Sequence, residues 1–114
     1  MIRAEITRGQ DSNISCFKVE DHGEGNVCAA VSMLVLNTVN SIEIFANDDF
    51  IFDVNEKRGF FSFTLKNPGS CSNETMLLLN ALALGLNTVQ EQFPSEINVL
   101  DDFDWKKLTA QYMQ

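Results

Sequence analysis

The sequence predicts an α+β two-layer sandwich, a mostly antiparallel sheet with two long helices on one face, in the order β-β-α-β-β-α-β. Three observations carry that expectation. Two pairs of short alternating segments are each joined by a turn-rich link. Each pair is followed by a long apolar stretch, 27–46 and 73–93. A chain of 114 residues, 45% of them hydrophobic, is long enough for one domain to bury a core without disulfides or metals.

The elements follow in order. Ile2, Ala4 and Ile6 alternate with Arg3, Glu5 and Thr7, a half-buried strand over 1–8. Residues 9–13 (GQDSN) make a turn, and 14–20 form a second strand with Phe17 and Val19 on one face and Lys18 and Glu20 on the other. The stretch VCAAVSMLVLNTVNSIEIFA (27–46) is a helix, for which Asn26 is an N-cap of the preferred type. FIFDV (50–54) and FFSFTL (60–65) form a second hairpin across a loop containing Gly59. Asn67-Pro68-Gly69 is a turn. A second helix spans 73–93, capped by Ser72, with Glu74 in its first turn, and ends at Phe93-Pro94. INVL (97–100) is a fifth strand. Nine phenylalanines against one tyrosine and one tryptophan point to a core rich in Phe.

Composition also excludes functions. A net charge of −8 argues against nucleic-acid binding, which needs a basic stripe. The acidity is read first as keeping the protein soluble; a basic partner, such as a segment of a ribosomal protein, is the alternative it would suit. Nothing at the start of the chain reads as a signal peptide, and asparagines at 37, 40, 80 and 87 interrupt both long apolar runs, so a soluble, cytoplasmic protein without membrane contact is expected. Three irregularly spaced cysteines (16, 28 and 71) suit that compartment, and with one histidine and no CxxC pair they do not read as a zinc site; no cofactor is expected. Both helices are more apolar than one sheet face requires, which a homodimer packed through helices explains economically; mutual cover within one chain is the other explanation.

The chemistry lies in DHGEGNVCAAVS (21–32). Cys28 falls in the first turn of the first helix, where unpaired N–H groups and the dipole favour an anion. Free cysteine titrates near ~8.5, and helix N-termini lower that value. His22, the only histidine, precedes Cys28 across a glycine-bearing loop that can turn back, so the two make the minimum kit for a thiol nucleophile and its base. The same residues also read as a space-filling cysteine and a solvated loop histidine, and spacing alone leaves both open. Cys16 lacks a base nearby in sequence, and Cys71 has no histidine left to partner it.

At these residues the chain resembles the ribosomal-processing cysteine proteases (Prp, YsxB-like). In that family a strand ends in Gly-His-Ala, a glycine-bearing loop follows, and a helix begins Asp-Ile-Val-Cys-Ala-Ala-Val-Ser. VCAAVS (27–32) matches the helix start residue for residue, and His22 falls on the family's histidine. MIRAEITR (1–8), NTVNSIE (37–43), GFFSFTL (59–65) and LGLNTVQEQFPSEINV (84–99) extend the likeness over about 1–101. The resemblance implies a dimeric endopeptidase that removes the N-terminal extension of a large-subunit ribosomal protein by cleaving after an aromatic residue. It makes Cys28 the nucleophile and His22 its base. Ser32, which also matches one turn after Cys28, either supports the site by hydrogen bonding or bonds back to its own helix. Asp21, outside the family pattern, either orients His22, holds it protonated or faces solvent.

The chain departs from the family pattern at Asp21, where Gly is typical, at Gly23 for Ala, at Gly25-Asn26 for Asp-Ile, and in a shorter His–Cys loop. The shorter loop motivates a competing expectation, a non-catalytic ribosome-associated or protein-binding module on the same scaffold. Residues 1–101 are expected to form the single protease-like domain and 102–114 a C-terminal extension. Trp105, Leu108 and Tyr112 have helical spacing there, which suits a short helix docked on its own domain; a partner-binding tail is the alternative.

Overall fold

A computed structural model describes residues 1–21 and 25–112. Its elements are β1 (Ile2–Arg8), β2 (Ile14–Glu20), α1 (Asn26–Phe45), β3 (Phe50–Asn55), β4 (Phe60–Leu65), α2 (Asn73–Gln92), β5 (Ile97–Leu100) and α3 (Trp105–Tyr112). The strands form one five-stranded sheet in the order β3-β4-β2-β1-β5, antiparallel except for the β1–β5 pair. This is the expected α+β sandwich.

Topology explains why both helices share a face. β2 and β3 are parallel with β4 between them, and β4 and β5 are parallel with β2 and β1 between them, so α1 and α2 are both crossover helices. The crossovers start from antiparallel neighbours and travel in opposite directions. Right-handed crossovers of that kind land on the same side of the sheet.

The covered face carries Ile2, Ala4 and Ile6 of β1, Phe17 and Val19 of β2, and Phe61, Phe63 and Leu65 of β4. Val31, Val35, Val39 and Ile42 of α1 and Leu79, Leu82, Ala83 and Leu86 of α2 complete the core. A bulge refines the pattern. Thr7 pairs with Cys16 and Arg8 with Ile14, which leaves Ser15 as the extra residue and lets Ile14 and Phe17, out of phase by alternation, both reach the core. Phe17 and Phe63 stack with centroids 5.1 Å apart, and Phe50 stacks on Phe63 at 5.0 Å. The Phe-rich core is only partly realised, since Phe45, Phe93 and Phe103 are exposed. The two helices approach closely at Gly85, where a Cβ would lie 3.1 Å from Leu34.

By length and composition alone α1 is apolar enough to cross a membrane, so its asparagines do less to interrupt the run than the sequence implied. In the fold its valine face lies under the sheet.

After β5 the chain turns back on itself. Arg8 donates from Nε and Nη2 to the two oxygens of Asp101, at 2.7 and 3.0 Å, and the indole Nε1 of Trp105 donates to Asp101 at 2.7 Å. The guanidinium also lies 5.2 Å from the centroid of Phe103. Burial raises the Asp101 pKa, but the hydrogen bonds from Arg8, Trp105 and the Phe103 amide outweigh it, and the carboxyl is held below its ordinary range. Trp105 is buried and Leu108 half-buried, while the Tyr112 side chain lies outside the described residues.

Candidate active site

Five residues, 21–25, join the end of β2 to the start of α1. The two described ones, Asp21 and Gly25, both have positive φ. Asp21 sits at φ 58, a left-handed conformation that glycine adopts freely and Asp tolerates better than most residues. The typical glycine of the resembled family at this position therefore has a backbone reason. Gly25 sits at φ 108 and ψ −178, a region essentially reserved for glycine.

Gly25, and not Asn26, is the N-cap of α1, and no side chain caps it. The expectation for Asn26 is corrected: the glycine's extended, positive-φ geometry makes the turn, and Asn26 is already the first helical residue. The amide of Ala29 donates to the Gly25 carbonyl at 3.0 Å as the first α-helical bond. The amides of Asn26 and Val27 precede it, and no acidic residue lies in this first turn. Among the described residues, no carboxylate within that first turn offsets the positive end of the helix.

Cys28 is the third residue of α1, with 9% of its surface exposed. Ser32 lies one turn further along the same face and is half-buried. Asp21 is exposed at the end of β2. The structure therefore brings Asp21, Cys28 and Ser32 to one end of the β2–α1 unit. His22 lies outside the described residues. Because β2 and β3 run parallel, their C-terminal ends lie at the same end of the sheet, with the start of β4 between them.

The other two thiols occupy different surroundings. Cys16 is half-exposed in β2, 3.7 Å from the Thr64 hydroxyl. Cys71 lies just before α2, and burial and then the negative charge of Asp48 push its thiol pKa upward. Among the described residues no three of His, Cys, Asp and Glu cluster as metal ligands would. Sequence reasoning missed Gly25, although its signal, a glycine immediately before a helical run, was present.

The family model described as cysteine protease Prp matches residues 1–98. The chain belongs to that family. The ribosomal processing cysteine protease Prp of Bacillus subtilis (strain 168) is 28% identical over 109 residues, covering 87% of this chain and 96% of the relative. Among solved structures, the Prp of S. aureus in complex with a substrate peptide superposes with a TM-score of 0.80 at 19% identity, covering 87% of this chain and 97% of that one. The same enzyme with a covalently linked product peptide gives 0.79 at 23% identity, with 88% and 98% covered. SMU.848 from Streptococcus mutans gives 0.78 at 26% identity, with 88% and 96% covered. The Prp fold thus extends over nearly the whole chain, and this Prp-family chain adds α3 beyond the matched residues.

Proposed function

We propose that this protein is a cytoplasmic cysteine endopeptidase that removes the N-terminal extension of a large-subunit ribosomal protein, with Cys28 as nucleophile and His22 as its base. The supporting observation is Cys28 in the uncapped, acid-free first turn of α1 within a Prp-family chain. The relative from B. subtilis is a ribosomal processing protease, and the S. aureus Prp has been seen with substrate and with covalently linked product.

In this reading His22 takes the Sγ proton and the thiolate adds to the scissile carbonyl. The amides of Asn26 and Val27 at the open helix end hold the resulting oxyanion. The tetrahedral intermediate collapses, His22 returns the proton to the departing amine, and a thioester to Cys28 remains. Water, deprotonated by His22, then attacks the thioester and releases the extension as a carboxylate. Ser32 supports Cys28 from the next turn, and Asp21 sets the backbone on which His22 is carried. No cofactor enters any step.

The second part of the proposal is a homodimer through the helical face. A groove of about 710 Å³ between α1 and α2 is lined by Met33, Leu34, Ala81, Leu84 and Val89, and Met33 and Leu77 stand 66% and 72% exposed. Exposed apolar residues along both helices favour a second copy as cover.

The deciding experiment incubates the protein with the precursor ribosomal protein from the same organism, beside a Cys28→Ala variant. Cleavage by the wild type alone is expected. Equal cleavage by both, or none by either, overturns the protease reading. Sedimentation of wild type and Met33→Glu tests the dimer, with the variant expected to run as a monomer.

A further inference from the structure

The two edges of the sheet are finished differently. β5 is four residues long, and the amide of Val99 donates to the Gln90 side chain at 2.6 Å, so a helix residue blunts this edge. β3 is six residues long, reads FIFDVN with one charge, and among the described residues has no neighbour on its outer side. Long, apolar, uncovered edges are ones that soluble proteins normally avoid.

The register shows which groups that edge offers. Lys66 N–H donates to the Asp49 carbonyl at 3.0 Å, which makes Asp49 and Lys66 a hydrogen-bonded antiparallel pair. Hydrogen-bonded and non-bonded pairs alternate along such a ladder. Phe50, Phe52 and Val54, paired with Leu65, Phe63 and Phe61, are therefore the non-bonded residues, and their N–H and C=O groups point outward. On the helix side of the same edge lies a groove of about 580 Å³ between α1 and β3. Val39, Ala46, Phe50 and Phe52 form its apolar lining, Glu43, Asp48 and Asp49 supply negative charge, and Asn40 lines it from α1.

From these features we infer that the polypeptide substrate binds as a sixth strand on the open edge of β3. It runs from the Cys28 end of α1 to this acidic groove, where a basic segment is held. The inference rests on the protease reading and names how that site reads its substrate. Outward backbone groups at every second residue are what strand addition uses. The groove's charge selects a basic chain, as a net charge of −8 does at longer range. Helix rise sets the expected spacing. Cys28 and Asn40 are about 18 Å apart along the helix at ~1.5 Å per residue. An extended chain covers that in about five or six residues at ~3.3 Å each. The basic residues should therefore lie about that far from the scissile bond.

The test uses the Cys28→Ala variant, so that binding is read without turnover, and fluorescent synthetic peptides spanning the ribosomal cleavage site. A scan of single N-methylated residues should weaken binding with period two, about tenfold or more at alternate positions. A flat scan overturns strand addition. A Lys pair placed five or six residues from the scissile bond, on one side or the other, should tighten binding in low salt, and Glu43→Gln or Asp49→Asn should remove that gain. A gain that survives both variants, or appears on neither side, overturns the groove's role. Apparent affinity that falls in step with dimer formation would assign the edge to a second copy and also overturn the inference. Wild-type cleavage of the same peptides is scored separately. Cleavage with a flat scan sinks only this inference, whereas a periodic scan without cleavage sinks only the protease reading.

Discussion

The two long helices have the same length and share one face of the sheet, yet they begin in opposite ways. α2 starts at Ser72, whose hydroxyl accepts from the Thr75 amide at 3.2 Å. Asp48, from the loop before β3, accepts from the Ser72 amide at 3.0 Å and from the Ser72 and Thr75 hydroxyls, and Glu74 adds a carboxylate to the first turn. α1 starts at Gly25 with no side-chain cap and no acid in its first turn. A helix start whose donors are satisfied contributes stability and has nothing left to offer a ligand. One left open gives up a cap's worth of stability, typically about 1 kcal/mol, and keeps donors and positive potential for an anion. On the proposed reading, the start of α2 serves stability and the start of α1 serves chemistry.

The sharpest way to break that contrast is Cys28→Ala. It should abolish peptide cleavage, with kcat/KM down by about 10⁴-fold or more. The midpoint of urea unfolding should barely move, because the side chain removed is small. Ser72→Ala should do the reverse, lowering unfolding free energy by about 1 kcal/mol while leaving kcat/KM within twofold.

Asp48→Ala probes the same end of α2 and leaves three donors without their acceptor, so its loss should exceed that of Ser72→Ala and reach about 2 kcal/mol. The pH dependence has a definite sign. Hydrogen bonds from the Ser72 hydroxyl, the Thr75 hydroxyl and the Ser72 amide, in that order, hold the Asp48 carboxyl below its ordinary value near 3.8. Its stabilisation is therefore complete above that ordinary value and is lost as pH falls through the lower folded-state value. Urea unfolding of wild type and Asp48→Ala from pH 6 down to pH 2 should show the gap between them closing only at the acid end.

Gly25→Ala comes next in size. A Cβ at Gly25 would meet nothing within 4 Å, so any penalty is conformational. Holding alanine at φ 108 costs about 1–3 kcal/mol locally. The helix start should shift to relieve it, and kcat/KM should drop about tenfold or more while the melting temperature falls by only a few degrees.

These contrasts also locate what the sequence disclosed. The strands and both long helices were legible because alternation and apolar run length are local signals, and Ser72 was legible because its cap lies three residues from the amide it serves. The α1 start was misread by one residue because Asn is a preferred cap type, whereas Gly25 acts through a dihedral that composition does not reveal. Cys28, the nucleophile we propose, was singled out by VCAAVS, a local motif. The clasp of Arg8 on Asp101 was not, since it joins residues 93 apart and exists only because β1 and β5 pair in parallel. The open edge of β3 was equally hidden, because strand order is a property of the whole sheet.

The smallest expected effect is the most informative about the linking loop. Asp21 occupies a left-handed conformation where the resembled family typically has glycine. Two roles compete for it: a backbone position that tolerates φ 58, and a carboxylate that steers the adjacent His22. Asp21→Gly relieves the strain but adds freedom to the unfolded chain, so the two effects offset to within about 0.5 kcal/mol. Asp21→Val, with a β-branched side chain at positive φ, should cost about 1–2 kcal/mol. If the backbone role is the whole account, Asp21→Gly keeps kcat/KM and its pH profile unchanged. A carboxylate that holds the imidazolium would instead shift the acidic limb of that profile to lower pH once removed, because the histidine would then lose its proton more easily. We expect the unchanged profile, since Asp21 is exposed and its place in the fold is already explained by its φ.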